Sequence, residues 1–339
     1  MKRLYRNSIK GIALALFSMF ALSACSDWTE VESLGLDEPT LGDKNPELYA
    51  KYLQNLRDYK NSDHKIVYAW FDNSEKTPVS RGQHISDAPD SLDVISMMYP
   101  AELAEFELAD MKTVREKGTK VVYTISFDKI KKEYTEKVKE GAETGTFDAY
   151  LSAELTKQIG YADAFDGMIV EYKGTNPIYM TAEQKAEVKK QQDTFFGALS
   201  TWRSSNDKKL FTFQGYPENL IGQALLAGCN HIILATDNVV DDAQLSITAR
   251  LAMVAPGVPT DRFIVAVSTV SLDGSDKLTG YYGSDRALAE AAYWTMESSA
   301  DYTRAGIAIY NVQNDYYNAV NIYQYVRESI NIMNPAPKK

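Results

Sequence analysis

Phe165-Asp166-Gly167-Met168-Ile169-Val170-Glu171-Tyr172-Lys173 is an almost unbroken apolar run whose charges sit near its two ends. As a β-strand, with successive side chains on opposite faces, it sets Phe165, Gly167, Ile169, Glu171 and Lys173 on one face and Met168, Val170 and Tyr172 on the other. The even-numbered face has no charge beyond Asp166, and the odd-numbered face stays apolar until its last two members. Such a strand is covered on both sides and delivers Glu171 and Lys173 to a polar rim.

Seven further apolar runs share this continuity, at residues 65–71, 92–98, 120–127, 209–213, 231–235, 263–268 and 306–310. Between them lie stretches of helical spacing. Residues 101–116 carry Leu103, Phe106, Leu108 and Met111; residues 181–201 carry Val188, Phe195, Phe196 and Leu199 and begin with the capping sequence Thr181-Ala182-Glu183-Gln184. Residues 285–295 and 320–332 supply two more. Eight strands alternating with helices over about 285 residues predict an α/β chain folded as one (β/α)8 TIM barrel across residues 47–339. A doubly wound sheet is the alternative, but its glycine-rich first turn is missing from Phe71-Asp72-Asn73-Ser74.

In a barrel the carboxyl ends of the strands share one rim, where ligands bind. The runs end in Trp70 and Asp72, in Tyr99, in Asp128, in Glu171 and Lys173, in Gln214 and Tyr216, in Asp237 and Asn238, and in Tyr310, Asn311 and Gln313. Aromatic faces can cover the C–H face of a pyranose while amides and carboxylates take its hydroxyls, so these residues are candidate sugar contacts. The three histidines, His64, His84 and His231, form no zinc-binding spacing, and no Gly-x-Ser-x-Gly elbow occurs. No cofactor is expected. Asp128 and Asp237 could form a carboxylate pair across the rim, as glycosidases require.

The amino terminus reads as an export signal. Lys2, Arg3, Arg6 and Lys10 precede an apolar run at residues 12–21, about half the ~20 residues a membrane span needs. Leu22-Ser23-Ala24-Cys25 resembles the lipobox of bacterial lipoproteins, which implies removal of residues 1–24, lipidation of Cys25 and a flexible tether over residues 25–46. Removal takes the basic count from 36 to 32 against 46 acids, a charge that disfavours nucleic acid and anionic lipid. Cys229 is then the only other cysteine, so no disulfide framework is expected. Asp27, Glu30 and Glu32 behind the cysteine resemble a surface-export signal, which implies an outer-membrane lipoprotein facing outward, in contact with the membrane through its lipid.

The opening stretch also resembles the fourth-strand signature of glycoside hydrolase family 18, an apolar residue followed by Asp-Gly-x-Asp-x-Asp-x-Glu. Asp166 and Gly167 match, Ile169 stands at the second Asp, Glu171 at the third and Lys173 at the Glu. In that family the final Glu is the general acid and the preceding Asp orients the substrate's N-acetyl group. The likeness is nearest to the endo-β-N-acetylglucosaminidase branch found in lipoproteins of gut Bacteroidetes, whose substrate is the chitobiose core of N-linked glycans. A lysine cannot serve as a neutral carboxylic acid. The resemblance therefore implies a pseudo-enzyme: a surface glycan-binding, lectin-like protein for N-acetylglucosamine-containing glycans in a glycan-utilisation system, beside an outer-membrane importer. One alternative is an active glycosidase, with Glu171, Asp166, Asp237 and Asp128 as candidate acids; another is a surface scaffold. Glu171 lies two residues short of Lys173, roughly 6.6 Å deeper at ~3.3 Å per residue.

Overall fold

The computed structural model describes residues 44–335, so the signal peptide, Cys25 and most of the tether lie outside the described residues. Residues 51–339 form one compact unit; of the other, residues 1–50, only 44–50 are described, and they include the first residues of α1 (Pro46–Asn61).

Eight parallel strands close into a barrel: β1 (Ile66–Phe71), β2 (Val94–Met97), β3 (Lys120–Ser126), β4 (Gly167–Tyr172), β5 (Leu210–Gly215), β6 (Ile232–Leu234), β7 (Phe263–Ser268) and β10 (Arg304–Tyr310). They pair in sequence order, and β10 closes on β1 through Ile66 opposite Gly306. The short strands β8 (Tyr281–Tyr282) and β9 (Asp285–Arg286) make a separate antiparallel hairpin in the loop after β7. The predicted alternation holds on β4. Ile169 lies in the barrel's interior cluster with Tyr68, Trp70 and Ile233, whereas Met168, Val170 and Tyr172 pack in the layer between strands and helices. Each large apolar side chain so buried contributes about 1.5–3 kcal/mol.

Around the sheet run α2 (Glu105–Glu116), α3 (Phe127–Lys139), α4 (Phe147–Ile159), α5 (Ala182–Ser205), α6 (Ala224–Ala227), α7 (Asp242–Val254), α8 (Ala287–Met296) and α9 (Gln324–Met333). Thr181 caps α5 as its sequence predicts: its hydroxyl accepts from Gln184 N, and the Gln184 side chain accepts from Thr181 N. Regular alternation fails in two intervals: two helices, α3 and α4, lie between β3 and β4, and none lies between β1 and β2. The interval after β1 holds two 3-10 turns, Arg81–Gln83 and Ile85–Asp87, instead of an α-helix. Pro78, Gly82 and Pro89 break the helical period there, and a Cβ on Gly82 would meet Tyr316 Cδ1 at 2.6 Å.

The Asp-Gly pair of the opening stretch is structural. The Asp166 carboxylate accepts from Val121 N and from Arg115 Nε, both at 2.8 Å, which ties β4 to β3 at the amino-terminal end of the barrel. Gly167 lets β4 and β5 close, because a Cβ there would stand 2.0 Å from Leu210 O.

At the same end, Tyr68 Oη lies 2.9 Å from Thr212 Oγ1 and 2.8 Å from His231 Nδ1 inside the barrel. Burial lowers the His231 pKa to about 4. A depressed folded-state value means that the unfolded chain binds the extra proton first, so His231's stabilisation is present above about pH 6.5 and is lost as pH falls towards 4. Imidazole resonances followed by NMR should show His231 titrating near pH 4; titration near 6.5 would contradict the buried neutral ring.

Candidate functional site

The carboxyl-terminal mouth of the barrel gathers charge around Lys173. Its ammonium lies 2.8 Å from Asp237 Oδ2, contributed by the loop after β6, and 3.9 Å from Glu171 Oε1 on the same strand. Its backbone N–H donates to Asp128 Oδ2 at 2.7 Å, in the first turn of α3, and its carbonyl accepts from the buried amide of Asn219 at 2.7 Å. Four elements therefore fix one residue. Burial works against the charged amine, but the hydrogen bond and charge of Asp237, with the charge of Glu171, hold Lys173 above its ordinary value. It carries its full positive charge at neutral pH.

Glu171 is pushed in the opposite sense. Burial raises its pKa, a Ser126 hydrogen bond and Lys173 pull it down, and the charges of Asp128 and Asp237 raise it, leaving it above the usual carboxylate value. Ser126 also caps α3 by accepting from Lys129 N at 3.2 Å. It links the helix start to the carboxylate one strand away.

Gln214 forms the polar floor. Its Nε2 donates to Glu171 Oε1 at 3.2 Å and to Tyr310 Oη, while its Oε1 is buried and without a partner. A buried carbonyl left unpaired costs about 1–3 kcal/mol. Tyr310 stacks on Trp70 with centroids 4.3 Å apart, and Trp70 Nε1 donates to Thr124 Oγ1 at 3.1 Å. Trp70 is only 5% exposed. One face of the expected sugar-binding ring is thus taken by Tyr310, and little of the rest is exposed.

The other predicted residues divide. Tyr216 stands close enough to Asp237 and Lys173 for their charges to act on its phenol, whose pKa burial raises first. Asp237 and Asn238 are exposed at the edge. A cleft of about 200 Å³ opens beside them, lined by Asp237, Ser268, Thr279, Tyr281, Tyr282 and Tyr310. Tyr99 is 45% exposed, its backbone held by the buried Asn73. Asp72 is turned into its own loop, where Oδ1 accepts from Ser74 N at 2.8 Å, and its N–H meets Gln313 Oε1 at 3.4 Å. The Asn311 amide donates to Ser268 Oγ at 3.0 Å. Asp166 is a correction, since it lies at the opposite end of β4 from Lys173 and cannot join any chemistry at the mouth.

Asn219 was not singled out from the sequence, and Ser126 was read only as part of the third strand's rim end, Ser126-Phe127-Asp128. Ser126 could have been found as a helix cap that directly follows a strand end, whereas nothing in the sequence marks Asn219. No group of three or more His, Cys, Asp or Glu able to hold a metal ion occurs among the described residues.

Residues 29–332 match the model of glycoside hydrolase family 18, BT1044-like. Among solved structures, a selenomethionine Glu-to-Gln variant of BT1044 superposes with a TM-score of 0.63 at 15% identity, covering 87% of this chain and 95% of that one. A family 18 chitinase from Pseudoalteromonas aurantia gives 0.52 at 12% identity, over 79% and 100% of the two chains. Catalytic domain 2 of the Ostrinia furnacalis Group II chitinase, as a mutant in complex with penta-N-acetylchitooctaose, gives 0.50 at 10% identity, over 82% and 98%. No protein of curated function matches the chain.

Proposed function

This chain belongs to the BT1044-like group of glycoside hydrolase family 18, and from that premise we propose that it is a non-catalytic, lectin-like binder of N-acetylglucosamine-containing glycans. The observation that carries the reading is Lys173. It occupies the end of β4 where the family signature has its acid, and Asp237 and Glu171 hold it charged. An ammonium above its ordinary pKa is a poor proton donor near neutrality and leaves no carboxylate behind to stabilise a positive intermediate. Ile169 removes a second acidic position, because an apolar side chain buried in the barrel offers Glu171 no hydrogen bond. The degenerate half of the signature is thus its chemical half.

Binding groups remain at the mouth. Gln214 Oε1 is free to accept, Asp237 and Asn238 lie at the edge, and Tyr216 and Tyr99 offer rings. The chitinase domain solved with penta-N-acetylchitooctaose supports a ligand of this class. Tyr216→Ala should weaken binding of a chitooligosaccharide by roughly tenfold, about 1.4 kcal/mol. Isothermal titration calorimetry checks this; unchanged affinity would remove Tyr216 from the site.

A second reading rests on Glu171. Its raised pKa is what a general acid needs, and Asp237 contacts the same ammonium, so two carboxylates stand within one side chain's reach. Turnover lost specifically in Glu171→Gln would select that reading. We also propose that Cys25 carries the lipid of an outer-membrane, outward-facing lipoprotein, working beside a glycan importer, on the strength of Leu22-Ser23-Ala24-Cys25. Cys25→Ser should release the protein from the membrane fraction, and retention would contradict the anchor.

A further inference from the structure

The outer faces of α7 and α8 are apolar where a helix surface facing water is ordinarily polar. On α7, Ile247, Leu251 and Val254 recur at the helical repeat while Leu245, Ala249 and Ala252 face the barrel. On α8, Tyr293 and Met296 lie one turn apart, and all five outward side chains are between 46 and 68% exposed. Trp294 Nε1 donates to Ser246 Oγ at 2.9 Å, which holds the two helices side by side at the residues that adjoin Tyr293 and Ile247 in sequence. The two stripes lie on neighbouring helices, and exposed apolar surface of this kind marks interaction sites.

Charge is divided along the patch. Near the amino-terminal ends of the helices, Glu290 lies among Asp242 and Asp285, and no cation pairs with it among the described residues. Towards the other end Arg250 is exposed and has no acidic partner among the described residues, and Glu297, which follows α8, is already held by Arg304 at 2.9 Å. A two-fold axis crossing the helices would run each copy's α7 and α8 antiparallel to the other's, carrying the basic end of one patch onto the acidic end of its mate. Isologous contacts of this self-complementary form are the commonest in soluble oligomers.

We propose that the α7–α8 face binds a second copy of this chain, with Ile247, Leu251 and Tyr293 at the centre and Arg250 of each copy against the other copy's Glu290. The patch lies on the helical flank of the barrel and the candidate site at its mouth, so a dimer carries two mouths, and a surface bearing many glycans would be held more tightly than by one.

Sedimentation velocity over a concentration series tests the proposal on the chain from residue 26 onward, which keeps the whole compact unit. A monomer–dimer equilibrium is expected. Leu251→Glu should raise its dissociation constant by about tenfold or more. Arg250→Glu should weaken it and Arg250→Glu with Glu290→Arg should restore it, a rescue that loss of folding cannot imitate. A monomer at every concentration, or a dimer that Leu251→Glu and Arg250→Glu leave unchanged, would overturn the proposal.

Discussion

Gly167→Ala is expected to leave little folded barrel at 37 °C. The added Cβ would stand 2.0 Å from Leu210 O and 2.7 Å from Leu210 Cα, both backbone atoms that no rotamer change can clear. Either β4 and β5 part, or their ladder shifts along its paired residues from Gly167–Leu210 to Tyr172–Gly215. The loss should exceed about 4 kcal/mol, a large share of the roughly 5–15 kcal/mol a domain possesses. A melting midpoint lowered by roughly 10 °C or more would match this. Gly197→Ala on α5 is the control, because nothing lies within 4 Å of its Cβ, and it should be neutral or slightly stabilising. Equal melting of the two variants would show that the Asp-Gly pair is not retained for the closeness of β4 and β5.

Lys173→Glu is expected to destabilise the mouth and create no glycosidase. The substitution removes the contact to Asp237 at 2.8 Å and sets a new carboxylate beside Asp237, Glu171 and Asp128. Asp237 is 43% exposed, so solvent screening limits the lost pair to about 1 kcal/mol, and like-charge crowding adds a similar amount. Crowded carboxylates have raised folded-state pKa values; their protonated forms favour the fold below the unfolded pKa, and that advantage is lost as pH rises through the folded pKa. The deficit relative to the natural protein should therefore shrink as pH falls towards about 4. Thermal melts at pH 7 and pH 4 check the sign. Hydrolysis should stay absent, since Ile169 still offers Glu171 no polar support and a misplaced set of groups can cost orders of magnitude.

Much of the fold was legible because continuous apolar runs and strand parity are local properties. Ile169 inward and Met168, Val170 and Tyr172 outward follow from a period of two. The helix-free interval after β1 was less legible, since Gly82 answers to Tyr316, more than 200 residues away in sequence. At the site, the sequence brought Glu171, Lys173, Gln214 and Asp237 to one rim. It could not tell that Trp70 stacks on Tyr310, because stacking between β1 and β10 is set by barrel closure. Nor could it tell that Asp166 serves Arg115 and Val121, for a carboxylate at a strand start and one at a strand end look alike in sequence until the fold assigns their ends.

Parallel measurement of binding and of reducing-end release, on one N-acetylglucosamine-containing oligosaccharide series with the natural protein, tests the central claim most directly. Saturable binding without product, unchanged in its lack of turnover by Glu171→Gln, is the predicted result. Product release by the natural protein that Glu171→Gln abolishes would contradict it and make Glu171 a working acid beside Lys173.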